Sequence, residues 1–182
     1  SALCYTAHMD NIHHNWVDLS DSWEKIGTAA AQRESQKHYF KSSKQRLLGH
    51  GHFDGLVGEE LVEQLSGIKA DWTLRIEGDG GTDFPGKVDV KVSKHFWDPD
   101  LKVPVNTPED KWADYYVLVA ADIDSKMARL CGYVSREELI AHDRIIKYRN
   151  EEDYEYNYTM NERNLHKGLP QAMFDEANVS LT

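Results

Sequence analysis

The residues with the most definite chemistry are Asp89 and Lys91, in the run Val88-Asp89-Val90-Lys91-Val92. Its strict alternation predicts a β-strand. Residues two apart on a strand share a face, so Asp89 and Lys91 project together and the three valines project the other way. Asp83 stands six residues before Asp89, after Gly80-Gly81-Thr82, and Pro85-Gly86 between them predicts a chain reversal. Such a hairpin brings two carboxylates and an ammonium to one edge of a sheet. Two close carboxylates repel unless a cation neutralises them or they share a proton. A hard cation such as Mg²⁺ takes one or two carboxylates together with water and phosphate oxygens. It acidifies a bound water and polarises a phosphoryl group, and a neighbouring lysine can orient that water and stabilise developing negative charge. That is equipment for hydrolysing a phosphodiester. Asp-x-Lys alone is a short pattern, and on an exposed strand it commonly forms only a weak ion pair. The Gly-Gly-Thr-Asp before it and the upstream pair Glu59-Glu60 strengthen the catalytic reading.

Several elements must position these groups. A long helix is expected from about Ser20 to Leu48, capped by Ser20 and Asp21, with Trp23, Ile26, Ala30, Tyr39 and Phe40 as a broken apolar stripe. Gly49 to Gly55 reads as a break. A second helix is expected from about Leu56 to Leu65, stopped by Gly67. Trp72 to Glu77 alternates as a strand, and Gly78 to Gly81 is a turn cluster. Residues 94–110 contain three prolines and no clear period, which predicts a long loop. The apolar run Tyr115–Ala121 predicts a strand covered on both faces. Met127 to Val134 predicts another, after a turn at Asp124-Ser125. Ser135-Arg-Glu-Glu138 is a capping box that opens a short helix through Ile140. The stretch from Tyr148 to Tyr158 mixes acids with tyrosines without a defensible period, and a short helix is expected around Gln171–Ala177. The order predicts a mixed α/β domain with a central sheet. Three parts are expected: an N-terminal helical arm over residues 1–48, a core domain over 49–147, and a tail over 148–182 that packs on the core.

With these residues in place the chain resembles the PD-(D/E)XK nuclease superfamily. That family has a restriction-endonuclease-like core, an α-β-β-β-α-β mixed sheet flanked by helices, and the likeness covers about residues 55–141. Asp83 matches the family's first acid, although the literal Pro-Asp pair is absent. Asp89 and Lys91 match the second acid and the lysine. Gly55-Leu-Val-Gly58-Glu59 resembles the helix start of the resolvase-like and phage-type branches, which makes Glu59 the third acid, with Glu60 the alternative one frame away. The resemblance implies that Asp83, Asp89 and the Val90 carbonyl bind Mg²⁺, with Mn²⁺ able to substitute. It implies that Glu59 completes the site and that Lys91 positions the attacking water. The expected products are a 5′-phosphate and a 3′-hydroxyl. The implied activity is endonucleolytic cleavage of DNA, with structure-selective, recombination, repair and phage roles all compatible. The contrasting expectation is a nuclease-like module that binds nucleic acid or protein without turnover.

Composition bounds these readings. The chain has 182 residues, 40% hydrophobic and 29% charged, enough for a core and against wholesale disorder. Two cysteines support neither a disulfide framework nor a four-cysteine zinc site. With no leader pattern or membrane-length apolar run, a cytoplasmic setting in a bacterial or phage-infected cell is expected. No Walker-type phosphate loop or Gly-x-Ser-x-Gly elbow occurs. The net charge of −10 disfavours nucleic acid at first sight, but residues 1–50 carry +1, residues 51–110 −7 and residues 111–182 −4. DNA contact is therefore expected from local cations: Lys41, Lys44 and Arg46 at the end of the first helix, and Lys94 and Lys111 around the loop in which Trp97 could stack or wedge. A homodimer through the N-terminal helix is a further expectation, since two sites suit two strands.

Overall fold

A computed structural model describes residues 15–39, 50–72, 82–149 and 154–175. The fold is mixed α/β, with two sheets and three α-helices among these residues. The main sheet is organised around β4 (Tyr115–Asp122), whose run Tyr116–Ala121 is buried throughout. A strand apolar on both faces must be covered on both, and here it is. β4 runs parallel to β2 (Val88–Ser93) and antiparallel to β5 (Met127–Ser135), and β5 in turn pairs with the short β1 (Trp16–Asp18). The order is β1-β5-β4-β2. The second sheet is antiparallel, in the order β3 (Asp100–Pro104), β7 (Tyr154–Asn161), β6 (Ile145–Arg149).

Each face of β4 feeds a separate core. Val117, Val119 and Ala121 join Val88 and Val90 of β2 beneath two helices, α1 (Trp23–Tyr39) and α2 (His50–Ser66). Leu56, Leu61 and Val62 of α2 are fully buried there, each contributing about 1.5–3 kcal/mol. Tyr116, Leu118 and Ala120 face the other way, onto Leu101, Val103 and Met160 of the second sheet and Leu139 of α3 (Arg136–Ala141). The capping box opens α3 as expected: Ser135 Oγ accepts from the Glu138 N–H at 3.1 Å. Gly67 ends α2 with φ of +74°.

Several expectations change. The proline-containing loop holds β3, with Pro104 at its last position; an edge strand tolerates proline because no neighbour needs its missing N–H. In the stretch from Tyr148 to Tyr158, Tyr148 and Arg149 end β6 and Tyr154 to Tyr158 begin β7, its antiparallel neighbour in the second sheet. Helix α2 begins at His50, so Gly51 and Gly55 lie inside it rather than in a break; packing on the sheet overrides their poor propensity. Of the expected N-terminal arm, the described residues 15–39 pack on the core. Leu19 and Ile26 are fully buried, β1 extends the main sheet, and α1 packs on α2. The expected strand at Trp72 to Glu77 lies outside the described residues beyond Trp72, as does the helix end at residues 40–48. The expected helix near Gln171 is a single 3-10 turn, Gln171–Phe174.

Candidate active site at the edge of the main sheet

Asp83 is placed by a tight hairpin. The N–H groups of Asp83 and Phe84 donate to the Val88 carbonyl at 3.0 and 3.1 Å. Gly86 and Lys87 turn the chain with φ of +74° and +53°. A Cβ on Gly86 would lie 2.4 Å from the Met173 carbonyl oxygen, so glycine alone fits both the backbone angle and the space. Buried Phe84 meets Phe174 edge-to-face at 5.8 Å and pins the turn to the core. The result sets Asp83 against the side of β2 away from β4, which is the sheet edge among the described residues, and its Oδ2 accepts the Val90 N–H at 2.8 Å. Alternate residues of a parallel strand turn their main-chain groups away from the partner strand, so the Val90 carbonyl lies on this same edge.

Asp89 and Lys91 lie opposite Tyr116 and Leu118 of β4, on the face toward the second sheet. Lys91 Nζ sits 2.6 Å from Asp89 Oδ2. The Lys91 side chain is 37% exposed, so water screens part of this pair. Glu59 arrives from the opposite side, on α2. Its approach depends on Gly58, where a Cβ would stand 2.4 Å from Val92 Cγ2 and 3.0 Å from Val90 Cγ1. Glu60, the alternative acid, is turned to Lys25 at 2.8 Å and Gln64 at 3.0 Å. Glu59 has Arg33 of α1 at 3.7 Å.

The electrostatics centre on Asp83. Burial, then the charges of Asp89 and Glu59, then a hydrogen bond to Asp89 push its carboxyl well above the usual carboxylate range; the Val90 N–H opposes them. Asp83 keeps some surface, yet the protein around it excludes enough water for burial to lead. Burial pulls the Lys91 ammonium toward losing its proton, but Asp89 beside it more than offsets this and holds its pKa above the ordinary lysine value.

Among the described residues no group of three or more His, Cys, Asp or Glu side chains is gathered closely enough to hold a metal ion. The geometry explains why. Asp83 lies on the edge, Asp89 comes from one face and Glu59 from the other, and Lys91 and Arg33 occupy two of the three carboxylates. The donor set still fits a hard cation. It is all oxygen, and neighbouring carboxyls such as Asp83 and Asp89 repel unless a proton or a cation offsets them.

The structure therefore brings Asp83, Asp89, Lys91 and Glu59 into one neighbourhood, with Val90 between the two aspartates. Lys94 and Trp97 lie beyond the far end of β2. Lys94 is 3.5 Å from Asp54, and Trp97 is 55% exposed on a tethered loop. Arg129 Nη2 donates to the Phe96 carbonyl at 2.8 Å, Asn161 Nδ2 to the Asp98 carbonyl at 3.1 Å, and the Glu162 N–H to the Pro99 carbonyl at 3.0 Å. Lys111 precedes β4, beside the start of β2, so the sheet separates it from Lys94. Lys41, Lys44 and Arg46 lie outside the described residues. Arg33 was not foreseen; the readable signal is its place seven residues after Ile26, on the buried stripe of the helix. No helix among the described residues is long and apolar enough to cross a membrane. Comparison with protein-family models, with curated proteins and with solved structures finds no match.

Proposed function

We propose that the chain is a metal-dependent endonuclease of PD-(D/E)XK type that hydrolyses phosphodiester bonds in DNA. The observation that carries this reading is the Asp83–Asp89 carboxyl pair, with the Lys91 ammonium on the second carboxylate, at one sheet edge. Asp83, Asp89 and the Val90 carbonyl would hold Mg²⁺ or Mn²⁺, with Glu59 nearby, and the bound ion would supply an activated water and a polarised phosphoryl group. The chain's own groups do the rest. Asp89 orients Lys91 Nζ through their 2.6 Å contact. Lys91 stays protonated, directs one N–H at the attacking water and stabilises charge growing on the phosphoryl oxygens. Asp83, fixed by the Val90 N–H, holds its carboxyl at the edge where the phosphate must lie. Lys94 gives a backbone phosphate a counter-charge, and exposed Trp97 gives a base a stacking surface.

The test is nicking of supercoiled plasmid with Mg²⁺ or Mn²⁺, against a chelator control. Lys91→Ala should lower the rate by about 10²–10³-fold. Asp89→Asn should abolish cleavage while leaving DNA binding in place. Binding with no cleavage of plasmid or branched DNA in either metal would overturn the catalytic reading in favour of a non-catalytic interaction module.

A further inference from the structure

After β7 the chain runs back across one end of the main sheet, from the end of β5 to the hairpin that carries Asp83. It is attached at two places, by different forces. The first attachment is polar. His166 and Tyr133 exchange two main-chain hydrogen bonds, each of 2.9 Å, and their rings pack with centroids 5.2 Å apart. His166 Nε2 is 2.6 Å from Glu138 Oε2 of α3, and Lys167 Nζ donates to the Cys131 carbonyl at 3.0 Å. The second attachment is apolar. Met173 and Phe174 are buried against Gly86 and Phe84, and half-buried Leu169 packs on the same core.

Among the described residues, the turn that carries Met173 and Phe174 makes hydrogen bonds only within itself. The Met173 N–H donates to the Pro170 carbonyl at 3.1 Å and the Asp175 N–H to the Ala172 carbonyl at 3.3 Å. A turn held to its neighbour by apolar contact alone can come away whole, leaving no broken hydrogen bond behind. Gly168 stands between the two attachments, with φ of +85° and open space where a Cβ would be. Such a residue can absorb the backbone rotation that lifting the turn requires. Lifting it would take from the Asp83 hairpin the ring packed on Phe84 and the chain lying against Gly86.

We propose that residues 169–175 form a releasable strap on the Asp83 hairpin: seated, the strap keeps Asp83 against β2; lifted by rotation at Gly168, it lets the hairpin open while His166 stays fixed to β5. Two other ties of 2.8 Å remain, from the Asp71 N–H to the Asp83 carbonyl and from the Asp114 N–H to the Lys87 carbonyl. The hairpin therefore loosens without unfolding, and the bond it gives up is the one from the Val90 N–H to Asp83 Oδ2. The strap thereby sets when the two carboxyls of the candidate site stand together. This is a motion of the chain itself, and it does not depend on the nuclease reading.

Hydrogen exchange of the full native chain, read by NMR across low urea concentrations, is the test. The Val90 N–H points away from β4 to Asp83 Oδ2, so its protection reports the hairpin and not the β2–β4 ladder. The Met173 N–H reports the strap. These two should exchange together, through an opening that depends only weakly on urea, while Val117 to Val119 of β4 exchange through global unfolding. Phe174→Ala should speed exchange at both by about tenfold or more. Leu169→Ala takes its place if Phe174→Ala fails to fold by circular dichroism. Val103→Ala, in the core on the other face of β4, should speed exchange in β4 by about tenfold and leave Val90 and Met173 unchanged. A Val90 N–H that exchanges with the urea dependence of β4 would make the strap an inseparable part of the core and overturn the proposal. Faster exchange at Met173 in Phe174→Ala with Val90 unchanged would uncouple strap from hairpin and overturn it too.

Discussion

At the scale of the residue, Asp83 connects the chemistry of the site to the stability of the fold. Its carboxyl is pushed up by burial and by two neighbouring carboxylates, so the folded state holds a proton that the unfolded chain releases. Where both states are protonated the group is neutral in its effect. As pH rises through the ordinary aspartate range the unfolded chain ionises first, and the folded state loses relative stability until Asp83 ionises too. An asparagine there keeps the acceptor for the Val90 N–H and a donor toward Asp89. Asp83→Asn should therefore be more stable than the native protein at neutral pH, with the gap closing below about pH 4, the ordinary aspartate range. Urea unfolding at several pH values checks this, and a native protein equally stable at each would contradict it. The residue types of the site were open to reading because β alternation and a Pro-Gly turn are local rules, and they bring Asp83, Asp89 and Lys91 to one edge. Arg33 was not, because its role depends on how α1 docks across α2, which no local pattern encodes.

At the scale of the element, α2 shows how close approach is obtained. Gly58 lets the helix settle onto Val90 and Val92, and Glu59 follows it into the site. Alanine usually stabilises a helix relative to glycine by about 0.8–1.0 kcal/mol. At Gly58 the added methyl would meet Val92 at 2.4 Å, and valine side chains have little rotamer freedom to yield. Gly58→Ala should destabilise the protein by about 1–3 kcal/mol. Gly55→Ala, three residues earlier on the same helix with nothing within 4 Å, should stabilise it by about 0.5–1 kcal/mol. Thermal denaturation of the pair separates these effects; equal shifts would mean that Gly58 does not set the helix–sheet distance. The same glycines explain the misplaced start of α2. Read locally, Gly51 and Gly55 are helix breakers, whereas in the fold they are helical positions.

At the scale of the whole molecule, the second sheet was the least legible part. β3 is framed by prolines, β7 carries charge and tyrosine where a buried strand would carry valine and isoleucine, and β6 follows two isoleucines with Lys147, Tyr148 and Arg149. Register explains the composition. The β7 end nearest the core puts Met160 opposite buried Leu101 and Tyr158 opposite buried Val103, while Tyr154 and Tyr156, further along, are each 53% exposed. The hairpin overhangs the core that anchors it, so only part of its length obeys the hydrophobic pattern that sequence reading depends on. Lys147, opposite Tyr156, lies 4.0 Å from the ring of Tyr154 and 5.6 Å from that of Tyr156.

That lysine occupies the middle of β6, the last strand of its sheet among the described residues. A strand in that position offers a row of main-chain donors and acceptors on which another chain can grow, and Ile145, Ile146 and Tyr148 would favour such growth. A charge at its centre makes stacking one molecule on the next unfavourable, since any antiparallel copy in register sets lysine against lysine. Lys147 is therefore expected to oppose edge-to-edge assembly. Lys147→Ile should leave the fold intact and produce concentration-dependent assemblies in light scattering, while a variant that stays monodisperse would place the safeguard elsewhere in the hairpin.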